Sequence, residues 1–277
     1  MNSIKELNSG TLFFCFGPPK SGTTLLQRLL NLHPDISCPS EHQFNLILDN
    51  LNGFIAKYND ALRQVDHMTG GQGATLISSN AIRSIFRDVV LNILQDAAVD
   101  RTFIGANDNR ILNNLQFFDD LFLRPKMIAI FRNPFDTAVS SWHQNKRIGD
   151  EEILRQYGGL PEWVGKTCEW YERDIRGYLD FANSRDNTVL VKYENLVAQK
   201  KDNVRELLRF LGASENEDIL DDMIEKSSIE NFRKTSANPK FFRKGSMDFG
   251  KDEISDELRR ELTDKHRVAL QFLDYAK

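Results

Sequence analysis

Apolar residues along the chain alternate between continuous short runs and helical spacing. Thr11 to Gly17 (TLFFCFG) is a β-favouring apolar run; GPPKSGTT follows, and then Leu25, Leu26, Leu29 and Leu30 recur on one helical face until His33-Pro34. The pattern predicts strand, tight loop, helix. Ser40 and Gln43 have the spacing of a capping box ahead of Phe44, Ile47, Leu48, Leu51, Phe54, Ile55 and Tyr58, which predicts a second helix. MTGGQGA, Met68 to Ala74, reads as a flexible loop, and Ile82, Ile85, Phe86, Val89, Val90, Ile93 and Leu94 mark a third helix.

Further on, Thr102 to Ala106 is a short strand candidate, Ile111 to Phe122 a helix, and Met127 to Phe131 a stronger strand that ends in Arg132-Asn133-Pro134. Helices follow near Asp136 to Asn145 and from Pro161 to Ala182. Thr188 to Lys192 is a strand, and Val204, Leu207, Leu208 and Leu211 mark a helix closed by Gly212. Beyond Asn231 the chain reads as basic and loop-like until a terminal helix from about Asp256. Strands alternating with helices predict the α/β class, a central parallel sheet covered on both faces. No repeat or linker interrupts the pattern, so the expectation is one domain over 1–277.

Composition changes this picture little but excludes much. The 277 residues are 40% hydrophobic and 27% charged, the profile of a globular chain rather than a disordered or fibrous one. Thirty-six Lys and Arg stand against forty Asp and Glu, a net charge of -4, which gives no general attraction for nucleic acid or acidic membrane. No apolar run is long enough to span a bilayer. The polar start, MNSIKELNSG, and three cysteines (Cys15, Cys38, Cys168) without disulfide or zinc spacing suit a reducing, cytoplasmic setting. Any anion site must therefore be local.

The loop Gly17-Pro18-Pro19-Lys20-Ser21-Gly22-Thr23-Thr24 is such a site. Between a strand and a helix, backbone N–H groups and the helix dipole converge on an anion, and Lys20 adds charge. A P-loop-type three-layer α/β/α fold follows. A nucleoside triphosphatase loop has its lysine directly after the second glycine, where this chain has Thr23. The strongest strand also ends in Arg132 rather than an Asp suited to magnesium, so a metal-free site built on Lys and Arg is expected. Arg132 and Ser140, eight residues apart in FRNPFDTAVSSWH, supply a second anion site at a strand end, where open α/β sheets bind ligands. Pairing of Arg132 with Asp136 is the purely structural alternative.

Together these segments resemble the sulfotransferases that use 3′-phosphoadenosine 5′-phosphosulfate (PAPS). GPPKSGTT is similar to their 5′-phosphosulfate loop and FRNPFDTAVSSWH to their 3′-phosphate segment. Lys192-Tyr193-Glu194-Asn195-Leu196 is similar to a Tyr-Glu-Asp-Leu element, and Phe242-Arg243-Lys244-Gly245 to an Arg-Lys-Gly element, all in family order. The resemblance implies that Lys20, Ser21, Gly22, Thr23 and Thr24 bind the 5′-phosphosulfate. It implies also that Arg132, Ser140, Arg243, Lys244 and Gly245 hold the 3′-phosphate and Tyr193 contacts adenine. PAPS would be co-substrate, 3′-phosphoadenosine 5′-phosphate (PAP) the product, and no metal would be needed. The acceptor would be a hydroxyl, phenol or amine on a small molecule or carbohydrate, bound by a helical insert at about 53–100.

Sulfuryl transfer needs a base for the acceptor proton. The Lys-x-His segment of cytosolic family members is absent; Phe103 to Arg110 reads FIGANDNR. HPDISCPSEHQF is instead similar to the region where tyrosylprotein and some carbohydrate sulfotransferases carry a glutamate base, which points to Glu41, with His42 as the alternative. Tyrosylprotein sulfotransferases also place a lysine 25 residues before the 3′-phosphate arginine; here that position is Asn107, so leaving-group stabilisation would rest mainly on Lys20. Two other readings stay open: a P-loop nucleotide kinase, and a catalytically weak module that binds PAP or PAPS.

Overall fold

The computed structural model describes residues 11–39, 41–98, 100–198, 200–235 and 252–273. Among these, five strands form one parallel sheet in the order β2-β3-β1-β4-β5: β1 (Leu12–Phe16), β2 (Ile36–Ser37), β3 (Phe103–Asn107), β4 (Lys126–Phe131) and β5 (Thr188–Lys192). The expected α/β class holds. Central β1 is buried along its whole length because both its faces are covered, which is why it reads as an unbroken apolar run.

Alternation along β1 divides the core. Leu12, Phe14 and Phe16 join Met127, Ala129 and Phe131 beneath α2 (Phe44–Met68), α3 (Ser79–Asp96), α4 (Leu115–Leu121) and α7 (Leu160–Ala182). Phe13 and Cys15 join Ile128, Ile130 and Val191 beneath α1 (Thr23–Leu30), α8 (Tyr193–Ala198), α9 (Lys200–Leu211) and α10 (Glu217–Lys226). A third apolar cluster, around Phe135, Trp142 and Trp163, ties α5 (Pro134–Ile148) to α6 (Glu151–Tyr157), α7 and α12 (Asp256–Lys265). The short α11 (Ile229–Thr235) and α13 (Arg267–Phe272) complete the described helices.

Several boundaries differ from the sequence reading. The predicted helix 111–122 is a 3-10 turn, Asn109–Asn114, followed by the short α4. The chain beyond Asn231 stays helical to Thr235, and the terminal helix breaks at His266 into α12 and α13. The capping box does not form as predicted. Gln43 adopts φ +52° and supplies no side-chain cap, and the first N–H of α2, on Phe44, is satisfied by Asp108 Oδ2 at 2.8 Å. Ser40 lies outside the described residues. Helices α2 and α3 pack together, and Asn59 bonds both backbone groups of Ile77, at 2.9 and 3.0 Å, across the loop between them. Among the described residues no helix is long and apolar enough to cross a membrane.

The chain leaves β1 toward β2 and β3 on one side, then crosses to β4 and β5 on the other. That reversal opens a crevice at the C-terminal ends of β1 and β4. Both candidate anion segments begin there.

Candidate active site

Close approach of backbone to backbone dictates the loop after β1. A Cβ on Gly17 would overlap the Ile130 carbonyl oxygen of β4, and one on Gly22 would overlap the Tyr193 ring. Gly22 is also the N-cap of α1 with φ +104°, a conformation that L side chains rarely adopt. Having no side chain, it leaves the first turn of α1 without a cap from that position. Lys20 is held at φ +72°. Ser21 is fully buried, and its Oγ has no partner among the described residues, an orphaned donor on the floor of the cradle. Glycine cradle, buried hydroxyl and Lys20 together fit a phosphate-type anion. Gly22→Ala is expected to destabilise the protein by about 1–3 kcal/mol and to weaken binding of a phosphate-type anion, measured by thermal melting and calorimetry.

The charge on Lys20 is finely balanced. Burial, reinforced by the like charge of Arg147 on α5, pulls its amine down to about 8, while Glu41 acts in the opposite direction. Arg147 stands two helical turns beyond Ser140, on the same side of α5.

Glu41 sits in the loop before α2 rather than in its first turn, so the helix-dipole role open to it in a capping box is not what holds it. Glu41 is exposed at the surface of the crevice, and partial desolvation followed by Asp108 pushes its carboxyl above the usual carboxylate range; the Asn109 N–H, Arg110 and Lys20 oppose this. His42 stacks on Phe44, ring centroids 5.1 Å apart, and burial lowers its proton affinity against the pull of Asp108.

On the other side of the crevice, Arg132 directly follows β4 and is nearly buried. Its guanidinium lies 4.6 Å from the centre of the Tyr193 ring, and Nη2 donates to Asp136 Oδ2 at 3.3 Å, the pairing weighed as the structural alternative. The Arg132 N–H donates to the Tyr171 hydroxyl at 3.0 Å, and that hydroxyl donates back to the Arg132 carbonyl. Asn133 caps α5 through Oδ1, accepting from Phe135 at 2.9 Å, and its own N–H donates to Glu194 Oε1 at 3.0 Å. Tyr193 thus packs between the loop after β1 and the end of β4, with Gly22 on one side and Arg132 on the other. Ser140 is half-buried in α5.

The arrangement joins Lys20 with Glu41, and Gly22 with Tyr193 and Arg132. Arg243, Lys244 and Gly245 lie outside the described residues. Among the described residues no group of three or more His, Cys, Asp or Glu side chains is placed to hold a metal ion.

Residues 11–273 match the profile of a family described as sulfotransferase domain. The chain belongs to the sulfotransferase domain family. Its relatives in that family include protein-tyrosine sulfotransferase 1 of Danio rerio, 23% identical over 213 residues, 76% of this chain and 55% of that protein. Nodulation protein NoeE of Sinorhizobium fredii is 31% identical over 137 residues, 46% of this chain and 30% of that protein. The chain therefore spans only about a third to a half of these relatives. Two solved sulfotransferases share the fold: mouse SULT7A1, crystallised with PAP (TM-score 0.55, 18% identity, 96% of this chain and 88% of that one), and a protein from Alicyclobacillus acidocaldarius (TM-score 0.53, 20% identity, 95% and 93%).

Four residues of the sulfotransferase crevice escaped the sequence reading. Asp108 stood in NDNR, where only its local cap on the Arg110 N–H has a sequence signal; the Phe44 N–H it also caps is 64 residues away. Arg147 was legible only as Ser140 plus seven. Glu194 stood inside the Tyr193 motif and Tyr171 inside the helix predicted from Pro161 to Ala182.

Proposed function

We propose that the protein transfers a sulfuryl group from PAPS to a hydroxyl, phenol or amine of a small-molecule or carbohydrate acceptor. The observation that carries the reading is a glycine cradle with a buried, unpartnered Ser21 hydroxyl whose other wall is Tyr193 with the Arg132 guanidinium 4.6 Å from its ring. Lys20, Ser21, Gly22, Thr23 and Thr24 would hold the 5′ end of the nucleotide. Arg132 and Ser140, with Arg243, Lys244 and Gly245 from the segment that follows α11, would hold the 3′-phosphate, and Tyr193 would contact adenine. The nucleotide supplies an activated sulfuryl group. Charge-assisted contacts of this kind contribute roughly 1.5–3 kcal/mol each, enough to select the 3′-phosphorylated nucleotide over plain adenylate.

In this reading Glu41 accepts the acceptor's proton at its carboxylate, and the ammonium of Lys20 steadies the oxygen on which charge develops. Partial desolvation and Asp108 raise Glu41 toward a useful base. Helices α2 and α3 would form one wall of the acceptor site; α2 leaves Phe54 and Tyr58 exposed for such contacts. The cytoplasmic placement is proposed on the buried free thiols of Cys15, Cys38 and Cys168.

Glu41→Gln is expected to lower turnover about 10²–10⁴-fold with PAP affinity unchanged, measured with labelled PAPS against a metabolite extract and read by mass spectrometry for added sulfonate. Retention of turnover in Glu41→Gln, with loss in His42→Gln, would move the base to His42.

A further inference from the structure

The loop that carries Glu41 is tied down at both ends. Upstream, the Cys38 N–H donates to Asn31 Oδ1 at 2.8 Å, and the Cys38 carbonyl accepts from Gln27 Nε2 at 2.8 Å and Asn31 Nδ2 at 2.6 Å. Gln27 lies in α1 and Asn31 is its C-cap, so this end is anchored to the helix that begins in the phosphate-type cradle. Downstream, the loop ends at Phe44, whose N–H donates to Asp108 Oδ2 at 2.8 Å.

Asp108 is fully buried and uses its other oxygen as well. Oδ1 accepts the Arg110 N–H at 2.9 Å, and the Asp108 N–H donates to the Cys15 carbonyl at 3.0 Å. One residue therefore joins the end of β1, the turn after β3 and the start of α2. That turn also carries Asn109 and Arg110, which favour the ionised form of Glu41. With Gln43 held at φ +52° and no side-chain cap of its own on α2, the bond to Asp108 replaces the local cap that a helix start normally has.

We propose that Asp108 is a positioning residue for Glu41: it fixes the downstream end of the base loop beside the cradle. This rests on the reading of Glu41 as base. The charged groups facing Glu41 are Asp108 from the end of β3, Arg110 from the 3-10 turn and Lys20 from the loop after β1, with His42 adjacent in sequence. Arg110, Lys20 and the Asn109 N–H all favour the ionised form of Glu41, so Asp108 is the charge that works against them. Removing it would leave a carboxylate that is both less firmly placed and less basic.

The test uses Asp108→Asn, which keeps the shape, removes the charge and turns one acceptor into a donor facing an N–H. Three quantities are read without a known acceptor: the Glu41 titration by carboxyl ¹³C NMR, assigned with Glu41→Gln; amide hydrogen exchange at Phe44 and Arg110; and release of labelled sulfate from PAPS with water as acceptor. The expected result is a lower Glu41 midpoint, faster exchange at both amides, and sulfate release reduced about 10–10²-fold, with PAP affinity by calorimetry within about twofold of wild type. An unmoved midpoint and unchanged release would overturn the proposal. If Asp108→Asn does not fold, Asp108→Glu decides. Retaining the charge, it should keep the midpoint but speed exchange at Phe44 and lower release, and wild-type release would overturn the proposal. Undiminished release in Glu41→Gln would instead sink the base assignment itself. Loss of release in Glu41→Gln with none in Asp108→Asn would sink only the positioning role.

Discussion

Lys20→Ala is expected to transfer sulfate at about 10⁻² to 10⁻³ of the wild-type rate, because it removes the one lysine of the cradle from the oxygen on which charge develops. The fold should survive unharmed. Burial and Arg147 lower the proton affinity of the Lys20 amine to about 8, so the native state carries this ammonium reluctantly. The sign follows from linkage. A lysine whose folded value is depressed disfavours folding while it is protonated in both states, and that burden fades as pH rises from about 8 toward the ordinary lysine value of 10.5. At pH 7 the burden is fully present, and the alanine variant should melt no lower than wild type. Anion binding needs the protonated amine, so wild-type PAP affinity should fall as pH rises through about 8, with proton uptake visible by calorimetry in buffers of different ionisation heat. Lys20→Ala should bind PAP weakly with that dependence gone. Near-normal turnover in a well-folded Lys20→Ala protein would remove Lys20 from the chemistry.

Where elements are buried on both sides, the sequence announces them. β1 is apolar throughout and β4 is apolar after Lys126, and the glycine loop between β1 and α1 carries its own chemistry. The elements that were missed have little local signal. β2 is two residues long and pairs only with β3 through Ile36 and Ser37. α6 buries no residue fully, and α10 buries only Leu220 and Met223. The start of α2 failed for a different reason: Ser40 and Gln43 have the spacing of a local cap, but the cap comes from Asp108, brought there by the neighbouring strands. Candidate site residues in the loop after β1 were legible because glycine, lysine and hydroxyls cluster in sequence. Asp108, Arg147 and Tyr171 reach the crevice only through tertiary packing, which no spacing rule reports.

Arg132 poses the sharpest question, since the ion pair with Asp136 would exist with or without a nucleotide. Both side chains are nearly buried, 11% and 5% exposed, so deleting Arg132 takes the compensating guanidinium away from a buried carboxylate. Arg132→Ala is expected to destabilise the protein by about 3–5 kcal/mol, the usual range for breaking a buried pair, moderated by the position of Asp136 in the first turn of α5. Loss of charge-assisted phosphate contacts should weaken PAP binding by about tenfold to several-hundredfold at the same time. Adding Asp136→Ala separates the two effects. With both charges gone, the buried carboxylate no longer opposes folding, and most of the stability should return in denaturant unfolding. Affinity for PAP should not return, because nothing replaces the guanidinium beside Tyr193. A double variant that regains both stability and affinity would make Arg132 a structural residue and leave the 3′-phosphate to other groups. One that regains stability alone, and no longer distinguishes PAP from plain adenylate by calorimetry, would assign the 3′-phosphate to Arg132.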